Sequence, residues 1–119
     1  MYAIVRGDLQ MPAGKLSAQA GHAYTDCLFE AHRTNPDLVS NYRNPSSGGS
    51  KVTLKAKNLN KLLAAYNEAI QSGIPCAAIV DQAHILPPHF DGSPIITAIG
   101  LGPCTKAQCE HITRKFNCV

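Results

Sequence analysis

Short apolar segments alternate with segments of helical periodicity along this chain, and that alternation restricts the fold to a few layered architectures. Strands are predicted where apolar residues run together or alternate with polar ones, at residues 2–5, 52–56, 76–80 and 95–99. Helices are predicted where apolar residues recur at helical spacing, at residues 12–31, 59–70 and 105–116. The order strand, helix, strand, helix, strand is typical of right-handed parallel crossovers. We therefore expect an α/β fold, a three-layer sandwich with a four-stranded mixed sheet flanked by helices.

The ends of these elements carry local signals. Asn58 is a preferred N-cap residue for the second helix, and Gly73 is a typical helix stop. Thr105 and Gln108 form a capping-box pattern at the start of the last helix. Residues 76–80 are apolar throughout, so we expect a central strand that is covered on both faces. The fourth strand follows the third without a helix between them and is predicted to be antiparallel to its neighbour.

The longest segment without a predicted element is residues 35–50, which are polar and rich in turn-forming residues. We interpret this segment as a mobile surface connection within one domain. A chain of 119 residues is long enough to bury a core without disulfides, so residues 1–119 are predicted to form a single domain.

Positive charge is unevenly distributed along the chain. The net charge of +3 is small, but residues 38–67 contain no acidic side chain. Five basic residues lie in that segment: Arg43, Lys51, Lys55, Lys57 and Lys61. A local positive field of this kind suits a polyanion such as RNA, although surface lysines also serve simply to keep proteins soluble.

Cysteine usage and hydropathy address compartment, metals and membranes. Five cysteines, an odd number without the spacing of a disulfide framework, indicate reduced thiols and a cytoplasmic protein. Neither a signal peptide nor an apolar run approaching ~18 residues is present, so no membrane association is expected. Cys109 and His111 project to nearly opposite sides of a helix, which argues against a zinc site. His84 and His89 lie in a loop and are expected on the surface.

Charged residues collect where the predicted strands end. Arg6 and Asp8 follow the first strand, Asp81 follows the third, and Lys15 lies at the start of the first helix. Because ligands gather beyond the carboxyl ends of parallel strands, these side chains predict a site on one rim of the sheet. An ordinary ion pair between a lysine and a carboxylate is the structural alternative.

A polar stripe runs along the first helix. Its members are spaced i, i+4, i+7 and i+11, which places them on one side of the helix: Lys15, Gln19, His22 and Asp26. The apolar residues of this helix occupy the other side, so we expect the stripe to point away from the packing face. A solvated surface is the alternative to a functional stripe.

Short motifs follow one another in a fixed order along nearly the whole chain: Val5-Arg6-Gly7-Asp8-Leu9, Met11, Gly14-Lys15, Ala18-Gln19, His22-Ala23, Lys51-Val52-Thr53-Leu54-Lys55, Gly73-Ile74-Pro75, Val80-Asp81 and Thr97-Ala98-Ile99-Gly100-Leu101-Gly102-Pro103. In this order and spacing the chain resembles the type 2 peptidyl-tRNA hydrolases. The resemblance implies a compact α/β fold with a four-stranded mixed sheet, often dimeric, and cleavage of the ester that joins a peptide to the 3′ end of tRNA. It also implies functional roles for four matching residues: Lys15, His22, Asp81 and Thr97.

The chain departs from the family pattern after Asp81. The family continues there through small residues to a threonine and a glutamine, whereas this chain continues Gln82-Ala83-His84-Ile85-Leu86-Pro87-Pro88. The loop is also longer than in the family pattern. Thr97 is matched by counting back from Gly102-Pro103.

Ester hydrolysis needs a positioned water, a proton acceptor, and donors where negative charge develops. On the resemblance, Asp81 or His22 accepts the proton and Lys15 stabilises the oxyanion or the leaving ribose oxygen. Thr97 holds the water, and neither a metal nor a cofactor is required. The remaining candidates are predicted to orient the rim or bind tRNA: Arg6, Asp8, Gln19, Lys51, Lys55 and Lys57.

Two other classes of function remain open at this point. A non-catalytic RNA- or protein-binding module on the same fold is suggested by the altered loop after Asp81. A phosphate-binding enzyme is suggested by Gly7 and Gly14-Lys15-Leu16-Ser17 after a strand. A phosphate loop, however, needs four residues between its glycines and a Ser or Thr directly after the lysine, which this chain lacks.

Overall fold

The computed structural model describes residues 1–46 and 48–119 and has the alternating order of strands and helices that the sequence predicts. The strands are β1 (Tyr2–Arg6), β2 (Val52–Ala56), β3 (Cys76–Asp81), β4 (Ile85–Leu86), β5 (Phe90–Asp91), β6 (Ile95–Leu101) and β7 (Asn117–Cys118). The helices are α1 (Ala13–Thr34), α2 (Pro36–Arg43), α3 (Leu59–Gln71) and α4 (Lys106–Thr113).

The main sheet is mixed and has the strand order β3-β6-β1-β2-β7. β1 and β2 are parallel, and β6 runs antiparallel to both of its neighbours, β1 and β3, as predicted for the fourth strand. The predicted number of four strands is wrong by one. The short strand β7 pairs with β2, where Leu54 lies opposite Cys118, and makes the sheet five-stranded. β4 and β5 form a separate two-stranded hairpin.

β3 is an edge strand, so the prediction of a central strand covered on both faces is wrong. β6 inserts between β3 and β1, and β3 has no neighbour on its other side within the described residues. Ala78 is exposed and Val80 is 53% exposed, whereas Ile79 is buried. An uninterrupted apolar run does not distinguish this half-covered edge from a central strand, because strand order is set by contacts far apart in sequence.

Helices cover both faces of the sheet and give the three layers that the sequence predicts. α1 packs on the face that presents Ala3, Val5 and Ala98. α3 and α4 pack on the opposite face, against a larger cluster that includes Ile4 and Ile99. α1 lies very close to β6, because a Cβ atom at Gly100 would overlap the carbonyl oxygen of Ala23. Glycine is therefore required at Gly100 for this helix to rest directly on the sheet.

The segment 35–50 contains a helix, so its interpretation as a mobile connection is wrong over α2. The Asn35 side chain accepts a hydrogen bond from the Leu38 amide at 3.2 Å, and Pro36 occupies the first turn. Val39 is buried and anchors α2 to the body of the protein. An Asn-Pro start is an ordinary helix signal, but the helix is short and mostly polar. Ser47, also within this segment, lies outside the described residues.

The local signals at the other helix ends are confirmed. The Asn58 side chain accepts a hydrogen bond from the Lys61 amide at 2.9 Å. Gly73 ends α3 with a φ of +70°, in the left-handed region that glycine favours. Thr105 and Gln108 form both hydrogen bonds of the capping box. In the part of the chain that is described, every helix is too short or too polar to cross a bilayer.

Candidate active site

The candidate site lies where β1 and β3 end and β6 begins, at one edge of the sheet. Lys15, in the first turn of α1, places its Nζ 2.9 Å from Oδ2 of Asp81 at the end of β3. The two side chains are only 9% and 16% exposed. The predicted meeting of Lys15 with Asp81 at the rim is therefore confirmed, and the pair is far better shielded than an ordinary surface ion pair.

Two residues of the long loop after Asp81 complete the surroundings of the Lys15 ammonium. His84 Nδ1 lies 2.5 Å from Lys15 Nζ, and the centroid of the Phe90 ring lies 4.2 Å from it. His84 is exposed, as predicted, but sequence reasoning missed both contacts with Lys15. The available signal was the length and composition of the loop, which leaves β3 directly beside the predicted rim.

Asp81 keeps one carboxylate oxygen available for chemistry. Oδ2 accepts from Lys15, while Oδ1 accepts no hydrogen bond from the described part of the chain. A partly exposed carboxylate oxygen beside a fixed ammonium can accept a proton from water while the ammonium stabilises negative charge nearby.

Arg6 and Asp8 form a separate ion pair at the end of β1. Arg6 Nε and Nη2 donate to the two Asp8 oxygens at 3.2 and 2.7 Å, and Nη1 donates to the carbonyl oxygen of Ile96 at 3.2 Å. The hydrogen bonds from Arg6 lower the pKa of Asp8 below its ordinary value, against the opposing effect of burial. The Arg6 guanidinium thus joins the end of β1 to the start of β6.

Thr97 and Gln19 are buried and bonded to each other. The Thr97 hydroxyl donates to Gln19 Oε1 at 2.5 Å, and Thr97 is fully buried. β6 carries one extra residue here, because Ile79 pairs with Ala98 but Val80 pairs with Ile96. This bulge turns Thr97 toward α1, on the same face as Ala98.

The polar stripe of α1 is divided, so the expectation that all of it points away from the packing face is wrong. Gln19 is buried against β6, and Lys15 is covered by the hairpin of β4 and β5. His22 and Asp26 are exposed. Gln19 borders the buried face of the helix and can be buried there because the Thr97 hydroxyl on the sheet satisfies its side-chain oxygen. His22 lies roughly 10 Å beyond Lys15 along the helix axis and does not meet the Lys15–Asp81 pair.

The candidate tRNA-binding lysines fall at two ends of β2. Lys51 precedes β2 at the sheet edge opposite the site, and its Nζ donates to the carbonyl oxygen of Gly49 at 3.0 Å. Lys55 and Lys57 line a groove of about 570 Å³ at the other end, together with Lys61 and Lys115. We call these four residues the groove lysines. Sequence reasoning missed Lys115, because only the pairing of β7 with β2 brings this distant segment alongside.

The floor of this groove is apolar, with Ile112 and Phe116 among its lining residues, and Gly7 links it to the end of β1. Lys115 is paired with Glu68 at 2.6 Å. Lys55, Lys57 and Lys61 are exposed and form no ion pair within residues 1–46 and 48–119.

The described residues do not favour a metal site or a site with Cys27 as nucleophile. Among the described residues, no three His, Cys, Asp or Glu side chains lie close enough to hold a metal ion. Burial raises the pKa of the Cys27 thiol to about 12, which keeps that buried cysteine from forming a nucleophilic thiolate at neutral pH.

Comparison with known proteins identifies the family of this chain. The family model described as "Peptidyl-tRNA hydrolase PTH2" matches residues 1–119. The chain belongs to this family. A peptidyl-tRNA hydrolase of Methanocaldococcus jannaschii is 34% identical over 95% of this chain and 93% of its own length. The peptidyl-tRNA hydrolase of Sulfolobus acidocaldarius is 35% identical over 95% of this chain and 93% of its own length.

The four residues to which the family resemblance gives functional roles do not all lie together in the structure. Lys15 and Asp81 are in direct contact, Thr97 is buried against Gln19, and His22 stands apart on the exposed side of α1. His84 belongs to the loop in which this chain departs from the family pattern and is nevertheless in contact with Lys15.

Proposed function

We propose that this protein hydrolyses peptidyl-tRNA, cleaving the ester between a peptide, or an N-blocked amino acid, and the 3′ end of tRNA. The observation that carries the proposal is the shielded Lys15–Asp81 pair at the strand ends of a chain that belongs to the PTH2 family. Strand ends of this kind are where α/β proteins place ligands.

In the proposed reaction Asp81 is the general base. Its Oδ1 takes a proton from a water molecule as the water oxygen attacks the ester carbonyl carbon and forms a tetrahedral intermediate. When this intermediate collapses, the C–O bond to the ribose breaks, and the proton held by Asp81 passes to the leaving ribose oxygen, which regenerates the carboxylate. Lys15 donates to the oxyanion of the tetrahedral intermediate or to the leaving ribose oxygen. His22 is the alternative base, but its position roughly 10 Å along the helix from Lys15 favours Asp81.

The buried pair of Thr97 and Gln19 supports the rim from below. Because the Thr97 hydroxyl is committed to Gln19 at 2.5 Å, we assign Thr97 a role in holding Gln19 and, through it, the start of α1. Gln19 retains its amide NH₂ group as a donor. Arg6 and Asp8 orient the same rim by tying β1 to β6.

The groove lysines are proposed to bind the sugar–phosphate backbone of the tRNA. Their groove opens at the end of β2, three strand positions from β3, which is roughly 14 Å at the usual strand spacing. A cationic groove with an aromatic side chain in its floor suits single-stranded nucleic acid. Lys51 lies at the opposite edge and is proposed to contact a different part of the tRNA.

The remaining expectations concern the protein in the cell. We propose a cytoplasmic location, supported by five cysteines that are all free thiols. Dimer formation stays a prediction of the family resemblance, and sedimentation equilibrium of the purified protein measures it directly.

The direct test is release of free tRNA from N-blocked aminoacyl-tRNA by the purified protein. We expect turnover without added metal, at a rate well above spontaneous ester hydrolysis in a matched sample without protein. Inactivity toward several such substrates, combined with retained tRNA binding, would instead support a non-catalytic RNA-binding module.

A further inference from the structure

The loop after β3 is a built structure that presents His84 to the site. The Ala83 amide donates to the carbonyl oxygen of Gly92 at 2.9 Å and closes the base of the loop. Within it, β4 and β5 pair, with Leu86 opposite Phe90. Phe90 is only 3% exposed and packs in the same cluster as Leu9, so the hairpin is anchored in the core. His84 therefore stands on a fixed support beside α1.

The Lys15 ammonium is held from three directions. It donates to Asp81 Oδ2 at 2.9 Å, meets His84 Nδ1 at 2.5 Å, and lies 4.2 Å from the Phe90 ring centroid. An ammonium has three donors and no acceptor, so Nδ1 must accept, and the neutral imidazole carries its proton on Nε2. Two of the three N–H bonds are thereby directed, and the third is left for a substrate oxygen.

We propose that His84 is a positioning residue for Lys15 in the hydrolysis reaction, an inference that rests on the proposed function. Lysine has a long and flexible side chain, and one carboxylate leaves its ammonium free to pivot. A second acceptor, with an aromatic face beside the ammonium, fixes the direction of the remaining N–H. The loop that departs from the family pattern thus supplies Lys15 with this second acceptor.

The test uses two nearly isosteric replacements. In His84→Asn, the side-chain oxygen is attached to Cγ, as Nδ1 is in histidine, and still accepts from Lys15. His84→Leu has similar bulk but no acceptor. We expect His84→Leu to lower kcat at least about tenfold with little change in KM, because misplacing a catalytic group by 1 Å can cost up to 10²-fold. His84→Asn should keep kcat within about threefold of the wild type, since the acceptor is retained.

His89→Leu, an exposed histidine of the same loop, is the matched control and should leave both constants unchanged. Thermal unfolding of all variants checks that the hairpin stays folded. An active wild type with equal or higher kcat in His84→Leu would overturn this proposal alone, as would equal losses in the Asn and Leu variants. A wild type that hydrolyses none of these esters would refute the proposed function and this proposal with it.

Discussion

Lys15 and three of the groove lysines lie toward the same end of the sheet, but the surroundings of their ammonium groups are opposite. The Lys15 side chain is 9% exposed and touches a carboxylate, an imidazole and an aromatic ring. Lys55, Lys57 and Lys61 are exposed and unpaired within the part of the chain that the structure describes. The Lys15 charge is fixed at one point. The charges of the three exposed lysines are mobile, because no described carboxylate holds their side chains in place.

This difference in surroundings suggests that Lys15 acts in the chemical step and that the exposed lysines act in binding. A fixed ammonium in a shielded site can stabilise charge that develops at one atom, because no reorganisation is needed when the reaction occurs. Exposed lysines are screened by salt and adapt to many geometries, which suits a phosphate backbone whose position varies. Changes at Lys15 should therefore act on kcat, and changes in the groove should act on binding.

The largest expected effect comes from breaking the fixed pair. Asp81→Asn keeps the shape of the side chain and removes its charge, so turnover should fall by roughly 100-fold or more if Asp81 is the base. Lys15→Met should lower turnover by about two orders of magnitude by removing the donor to the oxyanion. Single-turnover release of tRNA from N-blocked aminoacyl-tRNA measures both, with circular dichroism to confirm folding.

Lys106→Met, at the exposed start of α4, is the matched lysine control for this experiment and should leave turnover unchanged. Near-normal hydrolysis by a folded Asp81→Asn protein would remove the central residue of the mechanism, even with the substrate correctly identified. His22→Ala would then be the next variant to examine, because His22 is the alternative base.

A smaller effect is expected from the mobile charges. Replacing Lys57 and Lys61 by alanine should weaken tRNA binding several-fold and flatten its salt dependence, by about 0.7 to 0.9 of the log–log slope for each phosphate that the lysines no longer neutralise. Lys115→Ala should do less, because Glu68 already neutralises that charge at 2.6 Å. Binding isotherms over a range of salt concentrations measure the slope, and kcat at saturating substrate should hardly change.

Lys106→Ala serves as the control for this series as well, since it removes one exposed positive charge away from the groove. An unchanged salt slope in the Lys57 and Lys61 variants would show that the groove lysines are ordinary solvated surface. A fall in kcat without loss of affinity would contradict the division between fixed and mobile charges.

The contact between Lys15 and Asp81 can be predicted from the sequence, whereas most of the structure around it cannot. Lys15 and Asp81 are recoverable because strand ends and a helix start are local features with a known spatial consequence. The bulge at Thr97 and the place of β3 at the sheet edge depend on pairing with β6, which no local pattern records. The contact of His84 with Lys15 depends on how a hairpin docks, and a loop sequence does not specify docking.

The set of lysines that line the groove also could not be predicted from the sequence alone. The segment without acidic residues contains Lys55 and Lys57, which line the groove, but it also contains Lys51, which lies at the other end of β2. Charge patterning along a chain reports density and carries no information about the edge of a sheet on which each charge lies. Lys115 joins the groove only through β7, about sixty residues away in sequence from β2.

The smallest expected effect is a change in stability from the Arg6–Asp8 pair, which lies at the end of β1, between Lys15 and the groove lysines. Because Arg6 holds the pKa of Asp8 below its unfolded value of about 3.9, the pair stabilises the fold above that pH, and this contribution disappears as pH falls through the folded pKa. Asp8 is one-third exposed, so solvent screening limits the contribution to about 0.5 kcal/mol. Urea unfolding of Asp8→Asn should show this deficit at pH 7 and a smaller one near pH 3, with exposed Asp26→Asn as the control. A deficit of equal size at both pH values would mean that Asp8 acts through packing, and Arg6 would then join β1 to β6 without help from the carboxylate charge.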